Sequence, residues 1–108
     1  MQVAIVDRNA ATRRVLAYNL EIEGHHSRVH SDVQSLSDAS TPELDVLILD
    51  LNMPGDSAFG LLKNRPVCLQ SADVPGVSNC PLESDRARAV VIGVNRYMVA
   101  PYPLTELP

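Results

Sequence analysis

The sequence predicts an α/β protein, a parallel five-stranded sheet with helices on both faces. Three observations predict it. Short apolar runs alternate with stretches of helical spacing along the whole chain. The run Val46-Leu47-Ile48-Leu49 is short, apolar and mostly branched, as a buried strand is. It stops at Asp50, and Asn52-Met53-Pro54-Gly55 then turns the chain. An acid at the carboxyl end of a buried strand stands where open α/β sheets place their chemistry, so Asp50 is the first candidate for a reactive group.

The elements follow in order. Gln2–Val6 is a short apolar run, read as the first strand, and it ends at Asp7. Asn9 is a good N-cap. Val15, Leu16, Asn19, Leu20 and Glu23 follow at helical spacing, and Gly24 is a natural stop. His26–His30 reads as a weaker second strand. Ser31 is placed to cap a short helix carrying Val33 and Leu36, which ends in Ser40-Thr41-Pro42. The third strand is read as Asp45–Leu49. Phe59, Leu61 and Leu62 predict a brief helix within 57–64. Val67–Gln70 is read as the fourth strand, ending at Ser71. The stretch 72–82 holds two prolines and a glycine and reads as an irregular loop. Glu83–Ile92 is predicted helical with Gly93 ending it, and Tyr97–Val99 is read as the fifth strand. Leu104-Thr105-Glu106-Leu107 begins a further element just before the last residue, Pro108.

Composition narrows the function classes. A chain of 108 residues is one domain with a single core. Its 45% hydrophobic and 20% charged residues are ordinary for a soluble globular protein. A formal net charge of −4 with no basic run argues against direct contact with nucleic acid. A strand-like segment follows Met1 directly, and no apolar run is long enough to cross a bilayer, so a cytoplasmic location and no membrane contact are expected. Cys68 and Cys80 do not form a metal-type spacing, and Cys68 is read as a buried free thiol. His25, His26 and His30 do not form a recognisable ligand set and read as surface residues near an edge strand.

These motifs resemble the receiver domain of bacterial response regulators, the signalling half of two-component systems. The resemblance runs from Met1 to Leu107. It is carried by Val3-Ala4-Ile5-Val6-Asp7, by Leu20-Glu21-Ile22-Glu23-Gly24, by the segment from Asp45 to Gly55, by Asp85-Arg86-Ala87-Arg88, and by the segment from Tyr97 to Leu107. The segment from Asp45 to Gly55 is the most specific. The family fold is flavodoxin-like, with strand order 2-1-3-4-5. The resemblance implies that Asp50 accepts a phosphoryl group from a kinase phosphohistidine, and that Asp7, Asp50 and the main-chain carbonyl of Asn52 hold Mg²⁺. It implies that Ser71 bonds the phosphoryl oxygen, that Tyr97 is the aromatic switch, and that the Ala100–Pro101 bond is cis.

Two side chains depart from the family pattern. The family places two adjacent acids after the first strand, and the second is Arg8 here. The family lysine after the fifth strand is Ala100 here. One acid and one base are lost, and the cation has moved from the fifth strand to the first. Arg8 is therefore a candidate counter-ion for Asp7 and Asp50, standing in for both metal and lysine. No cofactor is expected, and any Mg²⁺ site is expected to be weak. Loss of such electrostatic stabilisers commonly costs about 10²-fold or more in rate. Two lengths also depart: the third helix is short, and 72–82 reads as extra chain before the fourth helix.

The expected function is an atypical receiver, weakly or not phosphorylated. It would control an output module, a DNA-binding one by the family's habit, through homodimer or partner contacts. One alternative is a conventional Mg²⁺-dependent phosphoacceptor served by a histidine kinase. Another is a pseudo-receiver that senses a small ligand. At most, the chain's chemistry is self-phosphorylation and dephosphorylation at Asp50. The end at Pro108, close to where the family's fifth helix begins, reads as truncation of a longer regulator.

Overall fold

The computed structural model describes residues 1–36, 42–53, 57–78, 87, 90–91 and 93–99. Five strands form one sheet: β1 (Gln2–Val6), β2 (His26–His30), β3 (Val46–Asp50), β4 (Pro75–Ser78) and β5 (Arg96–Val99). All four pairings are parallel, and the spatial order is β2-β1-β3-β4-β5. Three helices intervene: α1 (Ala10–Ile22), α2 (Val33–Leu36) and α3 (Ser57–Lys63). Residues 87, 90 and 91 are also helical.

Alternation along the strands divides the core in two. Val3 and Ile5 of β1, with Val46 and Ile48 of β3, pack against Leu16 and Leu20 of α1. Ala4 and Val6, with Leu47 and Leu49, pack on the other face against Leu36 of α2 and Ala58, Phe59, Leu61 and Leu62 of α3. Every residue of β3 is buried, because it lies at the centre of the sheet with helices on both sides. β2 is an edge strand, which explains its weaker pattern.

Helix α1 starts as the sequence predicts. The Asn9 side chain accepts from the Thr12 N–H at 3.0 Å, and Gly24 takes φ 86° after the last turn. The α2 cap is Asp32 rather than Ser31: its Oδ1 accepts from the Ser35 N–H at 3.0 Å. The third strand begins and ends one residue later than expected, so Asp50 is its last residue. Cys68 is a buried free cysteine, as expected.

The largest correction concerns β4. Val67–Leu69 is a 3-10 turn, not a strand. Pro66 opens it in an extended conformation, Leu69 N–H donates to Pro66 O at 3.0 Å, and Cys68 and Leu69 turn into the core. The strand is Pro75–Ser78, inside the stretch that reads as loop. Proline is tolerated because it is the first residue of the strand. Glycine at 76 lets the neighbours pack close: an added Cβ would lie 2.8 Å from Leu51 Cδ1 and 3.0 Å from Val94 Cγ1. The apparent extra chain at 72–82 therefore contains the fourth strand, while the third helix is short, with seven residues.

The expected fifth helix and the Ala100–Pro101 bond lie outside the described residues. Among the described residues, no helix is long and apolar enough to cross a membrane.

Candidate functional site

The carboxyl ends of β1, β3 and β4 bring the candidate groups together. Val6 pairs beside Leu49 and Asp50 beside Val77, so Asp7, Asp50 and Ser78 all stand at the same end of the sheet. Asp50 is buried at 8% exposure. Its Oδ1 accepts from the Asn52 main-chain N–H at 2.8 Å, which fixes the carboxylate and starts the turn after β3. The Leu51 N–H donates to Val77 O at 2.8 Å and extends the ladder one step past Asp50. That step sets Leu51 beside Ser78, and the Ser78 hydroxyl reaches the next residue, donating to Asn52 Oδ1 at 3.2 Å.

Asp7 is tied on both sides of its backbone. Its N–H donates to His30 O at 3.1 Å, and its carbonyl accepts from Arg13 Nη1 at 2.7 Å. Its Oδ1 accepts from the Asn9 N–H at 2.8 Å, coupling the end of β1 to the start of α1. Burial pushes the Asp7 carboxyl above its usual range. The Asn9 hydrogen bond opposes this, the negative charge of Asp50 adds to it, and Arg13 and then Arg8 oppose it more weakly. Asp7 and Asp50 are thus close enough to repel.

Arg8 is exposed, and its effect on Asp7 is the smallest of the five. Arg13, which the sequence gives no reason to separate from a solvated helix face, lies nearer the site in effect. Ser71 is exposed in the turn after the 3-10 segment and is not at a strand end. The hydroxyl at the end of β4 belongs to Ser78, 2% exposed. Its signal was the Val-Ser pair after Pro75-Gly76, hidden by two strand-depleted residues. Tyr97 lies on β5, paired beside Gly76, and packs partly buried against the core on the α3 side. Ala100 lies outside the described residues.

Asp7 and Asp50 repel each other, and two such carboxylates are oxygen donors of the kind a hard divalent cation takes. The set is thin. Among the described residues no group of three or more His, Cys, Asp or Glu is placed to hold a metal.

Known proteins are similar to this chain in sequence or fold. The phosphate regulon transcriptional regulatory protein PhoB of Rhizobium meliloti is 28% identical over 121 residues, spanning 98% of this chain and 48% of PhoB. The sensor histidine kinase RcsC of Salmonella typhi is 26% identical over 108 residues, spanning 99% of this chain and 11% of RcsC. The crystal structure of a response regulator from Burkholderia pseudomallei, with a phosphorylated aspartic acid, calcium ion and citrate, superposes with a TM-score of 0.83 at 19% identity, over 98% of this chain and 63% of that one. The chain is similar in sequence to these two-component signalling proteins and has the fold of response-regulator receiver domains. No family model matches it. The chain spans about half the length of PhoB and about a tenth of RcsC.

Proposed function

We propose that this receiver domain is an atypical phosphoacceptor in two-component signalling, accepting a phosphoryl group weakly at Asp50. One observation carries the reading: a buried carboxylate, an oriented turn and a buried hydroxyl converge at Asp50, Asn52 and Ser78, while exposed Arg8 stands where a second acid belongs.

The chain's residues divide the work. Asp50 holds one carboxylate oxygen on the Asn52 N–H, leaving the other to attack phosphorus. An O–P bond forms, the bond from phosphorus to the donor breaks, and the leaving group departs with the electron pair and takes a proton from solvent. Ser78 supplies the hydroxyl at the end of β4 that can donate to a phosphoryl oxygen. Tyr97 supplies the aromatic ring whose rearrangement would carry the change to β5. Asp7, Asp50 and the Asn52 carbonyl would hold Mg²⁺, which when bound shields the repulsion between carboxylate and phosphoryl group. With Arg8 in place of an acid, that shielding is reduced, and the transfer is slow.

The expected partners are a histidine kinase as donor and an output module, DNA-binding as in a transcriptional regulator such as PhoB, with control through homodimer or partner contacts. A cytoplasmic setting follows from that role. The exposed position of Arg8 favours a second reading, a conventional Mg²⁺-dependent receiver. A small-ligand sensor has less support: the described cavity of about 210 Å³, lined by Asp73, Pro75, Asn95 and Arg96, lies at the amino ends of the strands, away from Asp50.

Labelling by a small acyl-phosphate donor tests the proposal. Slow, Mg²⁺-dependent modification that Asp50→Asn abolishes supports it. Fast labelling saturated at low Mg²⁺ favours the conventional reading. Absence of labelling at any Mg²⁺ concentration overturns both.

A further inference from the structure

Two of the contacts of Asn52 face different ways. Its main chain holds Asp50, and its carboxamide oxygen holds the hydroxyl of Ser78 at 3.2 Å across the gap between β3 and β4. We propose that the Asn52 carboxamide is a latch: it captures the Ser78 hydroxyl in the unmodified domain, and its release is a required step of switching. This rests on the reading of Asp50 as phosphoacceptor.

The reason is the proton count. A serine hydroxyl has one proton and donates to one acceptor at a time. While that proton lies on Asn52 Oδ1, it is not on an oxygen of a group attached to Asp50. Ser78 is 2% exposed, so water competes little for it. A phosphoryl oxygen is charged and accepts roughly twice as strongly as a neutral carbonyl. Modification of Asp50 therefore draws the hydroxyl away from Asn52, and in the unmodified domain the hydroxyl stays on the carboxamide. The register makes the latch local. The ladder bond from Leu51 N–H to Val77 O places residue 51 against residue 78, and the Asn52 carboxamide reaches across from the adjacent position. Asn52 is thus a positioning residue that acts through Ser78, and its identity sets how readily the hydroxyl is surrendered.

The experiment is a double-mutant cycle on the full chain. Beryllofluoride affinity is measured at fixed Mg²⁺ for the wild type, Asn52→Ala, Ser78→Ala and the double variant. Loss of the latch is expected to tighten beryllofluoride binding roughly 2- to 10-fold, the size of one neutral hydrogen bond. In the Ser78→Ala background the same change is expected to have no effect. A second readout needs no ligand: Ser78→Ala shifts the Asn52 side-chain amide resonances in NMR spectra of the unmodified domain. An Asn52→Ala effect of equal size in both backgrounds, or none in either, overturns the latch while leaving Asp50 as acceptor. Failure of every form, wild type included, to bind beryllofluoride overturns the phosphoacceptor reading and the latch with it.

Discussion

The guanidinium of Arg13 donates to the main-chain carbonyl of Asp7 at 2.7 Å, binding the first turn of α1 to the end of β1. The contact fixes the backbone from which the Asp7 carboxylate projects, and it brings a positive charge that partly offsets the pull of burial and of Asp50. Arg13→Gln is expected to lower stability by about 1–2 kcal/mol, since the bond is charge-assisted. It should also move the Asp7 carboxyl further up, which carboxyl-carbon NMR titration reads directly. An unchanged Asp7 titration would remove Arg13 from the site.

Arg8 is the substituted acid, and replacing it tests how much the metal site has lost. Arg8→Asp adds a third carboxylate at the mouth of the site and removes a cation. Mg²⁺ affinity is expected to rise about 10-fold or more, and acyl-phosphate labelling of Asp50 to accelerate with it. Calorimetry at millimolar Mg²⁺ measures the first. Affinity equal to that of the wild type would show that the arginine costs nothing there.

Ser71 and Ser78 make a paired control for the position of β4. Ser71→Ala, at an exposed turn, is expected to leave stability within about 0.5 kcal/mol and labelling unchanged. Ser78→Ala removes the buried hydroxyl and leaves Asn52 Oδ1 without that donor, so stability should fall by about 1 kcal/mol and labelling should slow. The reverse order of effects would place the fourth strand at Val67–Gln70 after all.

Gly76→Ala probes the packing that fixes that strand. The new methyl would meet Leu51 Cδ1 at 2.8 Å and Val94 Cγ1 at 3.0 Å. Overpacking of this kind costs about 1–3 kcal/mol, visible as a lower denaturant midpoint. A neutral result would mean that both side chains can step aside.

Two groups give the fold opposite pH responses. Burial, with the positive charge of Arg28, pushes the His30 imidazole below its ordinary 6.5, while Asp32 opposes. Its Nδ1 contacts Ser35 Oγ at 3.0 Å, and its buried Nε2 has no hydrogen-bond partner. The unfolded chain therefore takes up the His30 proton first, and the contribution of the neutral ring is full above 6.5 and lost as pH falls towards the folded value. His30→Gln should flatten that part of the stability profile. Asp7 has the opposite sign. Its folded carboxyl titrates above 3.8, so the ionised form costs stability at neutral pH, and the cost fades as pH drops through the folded value. Asp7→Asn is expected to stabilise the domain slightly at pH 7 in the absence of Mg²⁺, as chemical denaturation at several pH values would show.

The sheet was legible wherever local pattern and tertiary role agree. Val46–Leu49 announces itself because a central strand needs apolar residues on both faces, and the acid that ends it stands out against them. Asn9 and Gly24 mark α1 because capping is a local interaction. The same reading failed at β4. Val67-Cys68-Leu69 has the better strand composition, yet it turns into a 3-10 segment whose buried side chains seal the core beside Leu36. Pro75-Gly76-Val77-Ser78 has the composition of a loop, yet it pairs with both β3 and β5.

By itself, then, the sequence determined the fold class, the strand order through the resemblance its motifs carry, and Asp50 as a candidate at the end of a buried strand. Each of these is written in runs of neighbouring residues. The tertiary structure alone decided which hydroxyl ends the fourth strand, that Arg13 rather than Arg8 bears more on Asp7, and that Asn52 holds Ser78. Those facts depend on how close Leu51 and Val94 press on residue 76, and on a register between strands that lie 25 residues apart in the chain from Asp50 to Pro75. Packing across such a separation has no local signature, because the space a glycine must leave open is defined by side chains far from it in sequence.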